Sequence, residues 1–125
     1  MIHDAIIFAV LGPLVGNRCY PVMIPQEEGT PPVWPAIRYT PVGGTITPDS
    51  CGGGSAATDD QRVQIDCIAE TYKAAGALCE LARAAMEGLA VATVADGPPL
   101  YEFDAETKTF RAIQDFTIYG STPVV

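Results

Sequence analysis

Hydrophobic and polar residues alternate from Gln61 to Ala69, and this two-residue period predicts a β-strand. The apolar side carries Val63, Ile65 and Cys67, whereas Gln64 and Asp66 lie on the other side in mid-strand. A strand of this kind packs its apolar side on a core and directs its polar side away from that core. The sequence therefore predicts a sheet with two different faces.

The period changes to that of an α-helix directly after this strand. Apolar residues recur at steps of three and four from Tyr72 to Leu89, and charged residues occupy the opposite side. Thr71 is a suitable N-cap and Gly88 a suitable C-terminal stop. The stripe is too short for a coiled coil, so we predict a helix packed on the sheet.

The remaining pattern predicts one more helix and three more strands. Ile2 to Leu11 has helical spacing and is stopped by Gly12 and Pro13. Cys19 to Ile24 is extended but contains Pro21, so it is either an edge segment or a loop that packs. The predicted strands are Val33 to Tyr39, Leu100 to Asp104 and Thr109 to Tyr119. The predicted fold is α+β, an antiparallel sheet with both helices on one face, in the order α-β-β-α-β-β.

A glycine-rich segment, Pro41 to Asp60, separates the first two predicted strands. Its glycines and small polar residues bury too little surface to order themselves, and connections of this length are usually functional or disordered. We predict one domain over 1–125 with a flexible loop at 41–60. That loop is either a slack hairpin connection or a segment that orders on a partner. Its candidate partner-binding residues are Gly43, Gly44, Thr45, Asp49, Gly52, Gly53 and Gly54.

Charge and composition exclude several classes of function. Fifteen acidic residues against seven basic ones give a net charge of −8. This balance argues against sequence-independent nucleic-acid binding and against docking on an anionic membrane. The apolar run Ala5 to Leu11 is too short to span a bilayer and lacks the basic start of a signal peptide. The four cysteines have no metal-ligand spacing, so we expect them reduced and buried, in a protein that folds in a reducing cytoplasm.

Catalytic chemistry is sparse in this sequence. No phosphate-binding loop, nucleophile elbow or metal-ligand motif is present. Paired carboxylates can hold a divalent ion or share a proton. The best such candidates are Asp59, Asp60 and Asp66, with Asp115 as a fourth candidate across the sheet. The simpler interpretation is that Asp66–Arg111 or Arg62–Asp115 are cross-strand pairs on a polar sheet face. We therefore predict no catalytic activity, no bound metal and no cofactor.

One long stretch carries a resemblance to a known family. The segment RVQIDCIAETYKAAGALCELARAAMEGL, followed by a hairpin and a final DFTIYG strand, resembles the phage tail-completion, or tail-terminator, proteins. The likeness extends back through the N-terminal helix, RCYPVMIPQ and VWPAIRY, so it covers nearly the whole chain. The loop departs from it, since small residues fill 52–57.

The resemblance implies a structural virion protein that forms a hexameric ring at the head-proximal end of a tail tube. Such a ring stops tube polymerisation and joins the tail to the head connector. The implied partners are further copies of the chain, the tail tube protein and a head connector or stopper protein. DNA would pass through the lumen without specific binding. The implied location is the host cytoplasm during assembly and then the virion tail.

The polar side of the sheet is the candidate surface for contact between subunits. Heterologous contacts of one surface with another close into rings. The candidate contact residues are Arg62, Gln64, Asp66, Arg111, Asp115 and Thr117. Three alternatives stay open, namely a head-side connector or adaptor subunit, a small metal-assisted hydrolase and a small cytosolic binding module.

Overall fold

A computed structural model describes residues 4–25, 32–47, 58–89 and 93–119. Two α-helices and six strands follow one another in these ranges. The helices are α1 (Asp4–Leu11), which a short 3-10 turn (Gly12–Val15) extends, and α2 (Tyr72–Glu87). The strands are β1 (Cys19–Pro21), β2 (Ala36–Thr47), β3 (Thr58–Ala69), β4 (Thr93–Ala95), β5 (Leu100–Asp104) and β6 (Thr109–Ile118).

The six strands form one sheet in the order β1-β2-β3-β6-β4, and β5 also pairs with β6. All pairs are antiparallel except that of β1 with β2, which is parallel. The predicted α+β class is confirmed. Strand β1 confirms the edge-segment interpretation of Cys19 to Ile24 for its first three residues. The structure adds β4, a strand of three residues that is too short to produce a readable alternation. Pro21 is the last residue of β1, at the edge of the sheet. Proline has no backbone N–H, but at this position its absence interrupts no ladder of hydrogen bonds between strands.

The β2–β3 hairpin is longer than its hydrophobic pattern indicates. The ladder runs from Ala36 opposite Ile68 to Thr47 opposite Thr58, with a register shift between Pro41 and Gly44. Gly43 has a φ of 107° at this shift, a conformation that side chains rarely adopt. Residues 41–47 and 58–60 of the predicted loop are therefore strand. Residues 48–57, with Asp49 and Gly52 to Gly54, lie outside the described residues, so their flexibility stays a prediction.

The long helix begins and ends where the sequence predicts. Thr71 Oγ1 accepts a hydrogen bond from the Ala74 N–H at 3.1 Å, and the Gly88 N–H donates to Ala84 O at 3.2 Å. The prediction of the apolar stripe was wrong for Tyr72 and Leu81, which are 58% and 56% exposed. The side chains of α2 that do enter the core are Ala75, Leu78, Cys79, Ala82 and Met86.

A single hydrophobic core lies between the helices and one face of the sheet. Ile7 and Leu11 of α1 are fully buried in it with the apolar sides of β3 and β6. Burial of such side chains contributes about 1.5–3 kcal/mol each. Alternate residues of the same strands point to the opposite face. That second face is polar, and both predicted contact strands, β3 and β6, contribute to it.

The polar face of the sheet as the candidate site

Side chains from four neighbouring strands meet on the sheet face turned away from the helices. Register places Arg38 of β2 opposite Asp66 of β3, and Gln64 of β3 opposite Asp115 of β6. Glu102 of β5 stands opposite Arg111 of β6 in the same way. The period of two along each strand turns these side chains to one side. Of this group, Arg38 and Glu102 were not among the candidates found in the sequence, although their strands were.

Asp66 is the most deeply placed charged group of this face, with none of its surface exposed. Arg38 Nε donates to Asp66 Oδ2 at 2.8 Å, and a second guanidinium nitrogen donates to the same oxygen. Gln64 Nε2 donates to the other oxygen at 2.9 Å. A buried carboxylate is tolerated when it is paired and hydrogen-bonded in this way. Asp66 is therefore a structural group held by its neighbours.

One of the two predicted cross-strand pairs was wrong. Asp66 stands opposite Ile113 of β6 and pairs with Arg38 instead of Arg111. Arg111 forms its ion pair with Glu102 of β5, with 3.5 Å between Nη2 and Oε2. The physical reason is register, because Arg38 and Asp66 are direct neighbours across the β2–β3 ladder.

The second predicted pair, Arg62 with Asp115, is confirmed. Their closest side-chain nitrogen and oxygen lie 3.5 Å apart, and Arg62 Nε also lies 3.8 Å from Asp96 Oδ2. The Thr117 hydroxyl donates to the same Asp96 oxygen at 2.7 Å. Arg62 is half exposed, so each of these ion pairs stabilises the fold by less than about 1 kcal/mol. Asp96 gave no sequence signal, since it precedes the break at Gly97-Pro98-Pro99.

A cleft of about 340 Å³ opens within this face. Arg111 and Asp115 both line it, and each has one buried side-chain atom without a hydrogen-bond partner, Arg111 Nε and Asp115 Oδ1. One of these atoms is a donor and the other an acceptor. The cleft walls are completed by Arg38, Gln64, Asp96, Pro98, Leu100, Glu102 and Ile113. This arrangement suits the binding of a polar group better than bond-making chemistry, because it holds no nucleophile with an adjacent base.

Asp59 and Asp60, two of the carboxylates considered for catalysis, do not come together with Asp66. Asp59 and Asp60 lie opposite Ile46 and Thr45, near the start of β3. Six residues of extended strand, roughly 20 Å, separate Asp60 from Asp66. In the described ranges, no group of three or more His, Cys, Asp and Glu side chains is arranged to hold a metal ion.

Three of the four cysteines, Cys19, Cys67 and Cys79, are free and buried, as predicted. Cys51 lies outside the described residues. A side-chain hydrogen bond with Cys79, together with burial, raises the pKa of Cys67 well above its usual value. The same hydrogen bond lowers the pKa of Cys79. The contact between Cys67 and Cys79 joins β3 to α2.

Neither helix in the described part of the chain has the length and apolar character needed to cross a bilayer.

Comparison with known proteins gives a match to a family and similarity to solved structures. A model of the family described as "Tail completion protein gp17" matches residues 7–120. Among solved structures, a chain from the "Virion of native gene transfer agent (GTA) particle" is similar, with a TM-score of 0.52 and 18% identity over 90% of this chain and 84% of that chain. At this identity the likeness shows the fold alone. None of the curated proteins compared matches the sequence.

The family match spans nearly the whole fold, from α1 to the end of β6. It includes the strands that build the polar face and the helix that packs behind them. The chain is therefore a structural protein of a phage tail, and it belongs to the tail completion protein gp17 family.

Proposed function

We propose that this protein forms a ring of identical subunits, a hexamer, at the head-proximal end of a phage tail tube. The ring ends tube polymerisation and joins the tail to the head connector. The observation that carries this proposal is the family match over residues 7–120. The fold that it shares with a chain of a gene transfer agent virion supports its assignment as a component of a virion particle.

The polar face provides the proposed contact between subunits. Arg62, Gln64, Arg111 and Asp115 keep exposed surface there, whereas Asp66 and Thr117 are buried. We assign direct contact to the first four residues, and a supporting role to Asp66 and Thr117. The unpaired atoms Arg111 Nε and Asp115 Oδ1 support this, because a buried polar atom without a partner costs about 1–3 kcal/mol that an added contact relieves.

The proposed partners are further copies of the chain, the tail tube protein and a head connector or stopper protein. The proposed partner-binding residues are Gly43, Gly44 and Thr45 near the end of β2, followed by Asp49, Gly52, Gly53 and Gly54. DNA passes through the lumen without specific binding, since a charge of −8 on each subunit repels phosphates. The protein works without catalysis or a cofactor, in the host cytoplasm during assembly and afterwards in the virion tail.

Sedimentation velocity and negative-stain imaging of the purified protein test the ring. Subunits of like charge repel one another, and salt shortens that repulsion from ~10 Å at 0.1 M to ~3 Å at 1 M. Assembly should therefore strengthen with salt or magnesium, the reverse of nucleic-acid binding. A protein that stays monomeric at high concentration, high salt and added magnesium contradicts self-assembly.

Arg111→Glu tests the contact surface. Arg111 points away from the core, so the variant should fold and shift the equilibrium toward monomer. Lys73→Glu is the matched control, because it makes the same charge change on the exposed side of α2. If Arg111→Glu assembles as well as Lys73→Glu, the polar face is not the contact.

A further inference from the structure

A small cavity lies on the helix side of the sheet, beside α2, β5 and β6. Its volume is about 130 Å³. Gln114 of β6 points to this side, whereas its neighbours Ile113 and Asp115 line the cleft of the polar face. The cavity is therefore distinct from that cleft. Its walls are formed by Gly76, Cys79, Glu80, Arg83, Pro99, Tyr101 and Gln114.

Gln114 brings an unused hydrogen-bond acceptor to this cavity. The residue is 2% exposed, and its Oε1 atom has no hydrogen-bond partner among the described residues. Its Nε2 atom donates to the carbonyl oxygen of Gly97 at 2.6 Å, which fixes the orientation of the amide. A buried acceptor without a donor is uncommon and costly. Gln114 Oε1 is thus available to a donor on a small molecule or on a modified side chain in the cavity.

Cys79 is the nucleophilic side chain of the same cavity. A hydrogen bond with Cys67 is the largest cause that lowers the pKa of Cys79, and the charge of Arg83 acts in the same direction. Burial and the charge of Glu80 oppose this shift of the pKa. The thiolate is the reactive form of cysteine. Cys67, in contrast, has no exposed surface and a raised pKa, so Cys79 is the thiol that reacts first.

Cys67 is placed to react with Cys79 in turn. Their side-chain hydrogen bond brings the thiols of β3 and α2 together. The neighbouring side chains are small, since Ala75 and Ala82 flank Cys79 on the buried side of α2 and Ala112 pairs with Cys67. Small side chains at a contact let two elements approach closely. A disulfide needs such an approach, because its two Cα atoms lie within about 7 Å of each other.

We propose that Cys79 is an oxidation site for hydroperoxides and that Cys67 converts its product into a disulfide. In the first step, Cys79 Sγ attacks one peroxide oxygen, an S–O bond forms and the O–O bond breaks. The sulfur is oxidised to a sulfenic acid, and the peroxide is reduced to an alcohol, or to water from hydrogen peroxide, which takes up the thiol proton. Gln114 Oε1 accepts the hydrogen bond of the sulfenic O–H.

The second step forms the disulfide. Cys67 Sγ attacks Cys79 Sγ, the S–S bond forms and the S–O bond breaks. The hydroxide leaves as water with the proton of Cys67. The new bond ties β3 to the helix that covers it and constrains the unfolded chain. Thiols stay reduced in a cytosol and meet oxidants outside it, so the disulfide belongs to the released particle. The reaction does not depend on ring formation.

Peptide mapping by mass spectrometry tests this pathway. The folded protein carries Cys51→Ser, which removes the thiol outside the described residues, and is treated with hydrogen peroxide and digested without reduction. A joined pair of peptides containing Cys67 and Cys79 should appear, lighter by two hydrogen atoms than the free peptides. Cys67→Ser keeps a hydrogen-bond donor beside Cys79 but cannot form the disulfide, so dimedone should trap a sulfenic acid on Cys79. Cys79→Ser should leave Cys67 unmodified.

Cys19 is the internal control for burial. It is 3% exposed against 4% for Cys79, but burial raises the pKa of Cys19 to about 12. Cys79 should therefore be oxidised at least about tenfold faster than Cys19 in the same sample. Two variants on the exposed side of α2 test the cavity itself. Arg83→Gln should slow the oxidation of Cys79 and Glu80→Gln should accelerate it, by roughly twofold each.

The outcomes decide the proposal without ambiguity. Peroxide-treated wild type that lacks the joined Cys67 and Cys79 peptides contradicts it. Oxidation of Cys19 as fast as that of Cys79, or equal rates in the two charge variants, would show that peroxide reaches the thiols only in the unfolded chain. Circular dichroism of each variant should match wild type. If Cys67→Ser or Cys79→Ser does not fold, the peptide map of the wild-type pair and its rate relative to Cys19 still give the answer.

Discussion

Arg38 and Asp66 are joined across β2 and β3 by two hydrogen bonds to a single carboxylate oxygen. Asp66 has no exposed surface, and its side chain holds both Arg38 and Gln64 in place. The pair therefore fixes the positions of the polar side chains in the middle of the sheet face. Loss of this pair should lower the stability of the fold before it weakens any contact with a partner.

Asp66→Asn should lower the free energy of unfolding by about 3 kcal/mol, because it leaves the guanidinium of Arg38 without its carboxylate. Asp115→Asn is the control, since Asp115 is partly exposed and its pair with Arg62 is loose at 3.5 Å. The control should lose less than about 1 kcal/mol. Urea denaturation measures both variants. Equal losses would show that burial of the Arg38–Asp66 pair contributes nothing.

The N-cap of α2 offers a second prediction. Thr71→Ala removes the acceptor of the Ala74 N–H and should cost about 1 kcal/mol. Thr71→Ser keeps a hydroxyl and should cost much less. Hydrogen exchange at the Ala74 amide should accelerate in the alanine variant only. Unchanged exchange would mean that water replaces the cap without cost.

Gly76 of α2 lies beneath the hydroxyl of Tyr101. A β-carbon added at Gly76 would lie 3.3 Å from that oxygen, which is tighter than an ordinary contact. Gly76→Ala gains about 1 kcal/mol of helix propensity but must displace Tyr101. In a Tyr101→Phe background the oxygen is absent, so the same change should give the full gain. A double-mutant cycle by thermal unfolding measures the difference. Equal gains in both backgrounds would show that Tyr101 moves freely.

Burial of the Cys19 thiol predicts a loss of stability at high pH. Burial raises the pKa of Cys19 from 9.0 to about 12. Above pH 9 the unfolded thiol loses its proton while the folded one keeps it. The folded state then binds more protons, so stability falls as pH rises. The stabilisation is complete below pH 9 and is lost progressively up to about pH 12.

Cys19→Ala should reduce this alkaline slope while leaving other titrating groups in place. Urea denaturation at a series of pH values between 8 and about 12 measures it, with Thr71→Ala as a variant that changes stability but not the slope. An identical slope in Cys19→Ala and wild type would assign the alkaline sensitivity to other groups.

Long periodic segments allowed the sequence to predict much of this fold. As their spacing indicates, most of the apolar positions of β3 and α2 lie in the core, namely Val63, Ile65, Cys67, Ala75, Leu78, Cys79, Ala82 and Met86. The hairpin of β5 and β6 also has its predicted boundaries within one residue. Strand β4 could not be predicted, because three residues contain no readable period, and β1 could be predicted only as an edge segment or a packed loop.

The candidate site was predictable in outline only. The pattern assigned Asp66, Arg62 and Arg111 to one polar face, where the structure places them. It could not decide the partner of Asp66, because Arg38 and Arg111 lie on the same face and only strand register distinguishes them. Tyr72 fits the helical stripe by spacing but contacts Tyr101 at the rim of the domain, a tertiary contact that no local pattern indicates.

Strand β6 determines when a newly made subunit can fold. It lies between β3 on one side and both β4 and β5 on the other, and it ends at Ile118. During synthesis, β3 can pair with β2 but lacks its second neighbour until residue 118 has emerged. Such non-local pairing also slows folding. A chain interrupted before β6 would lack the strand that joins β3 to β4 and β5, so an incomplete translation product could not complete the sheet.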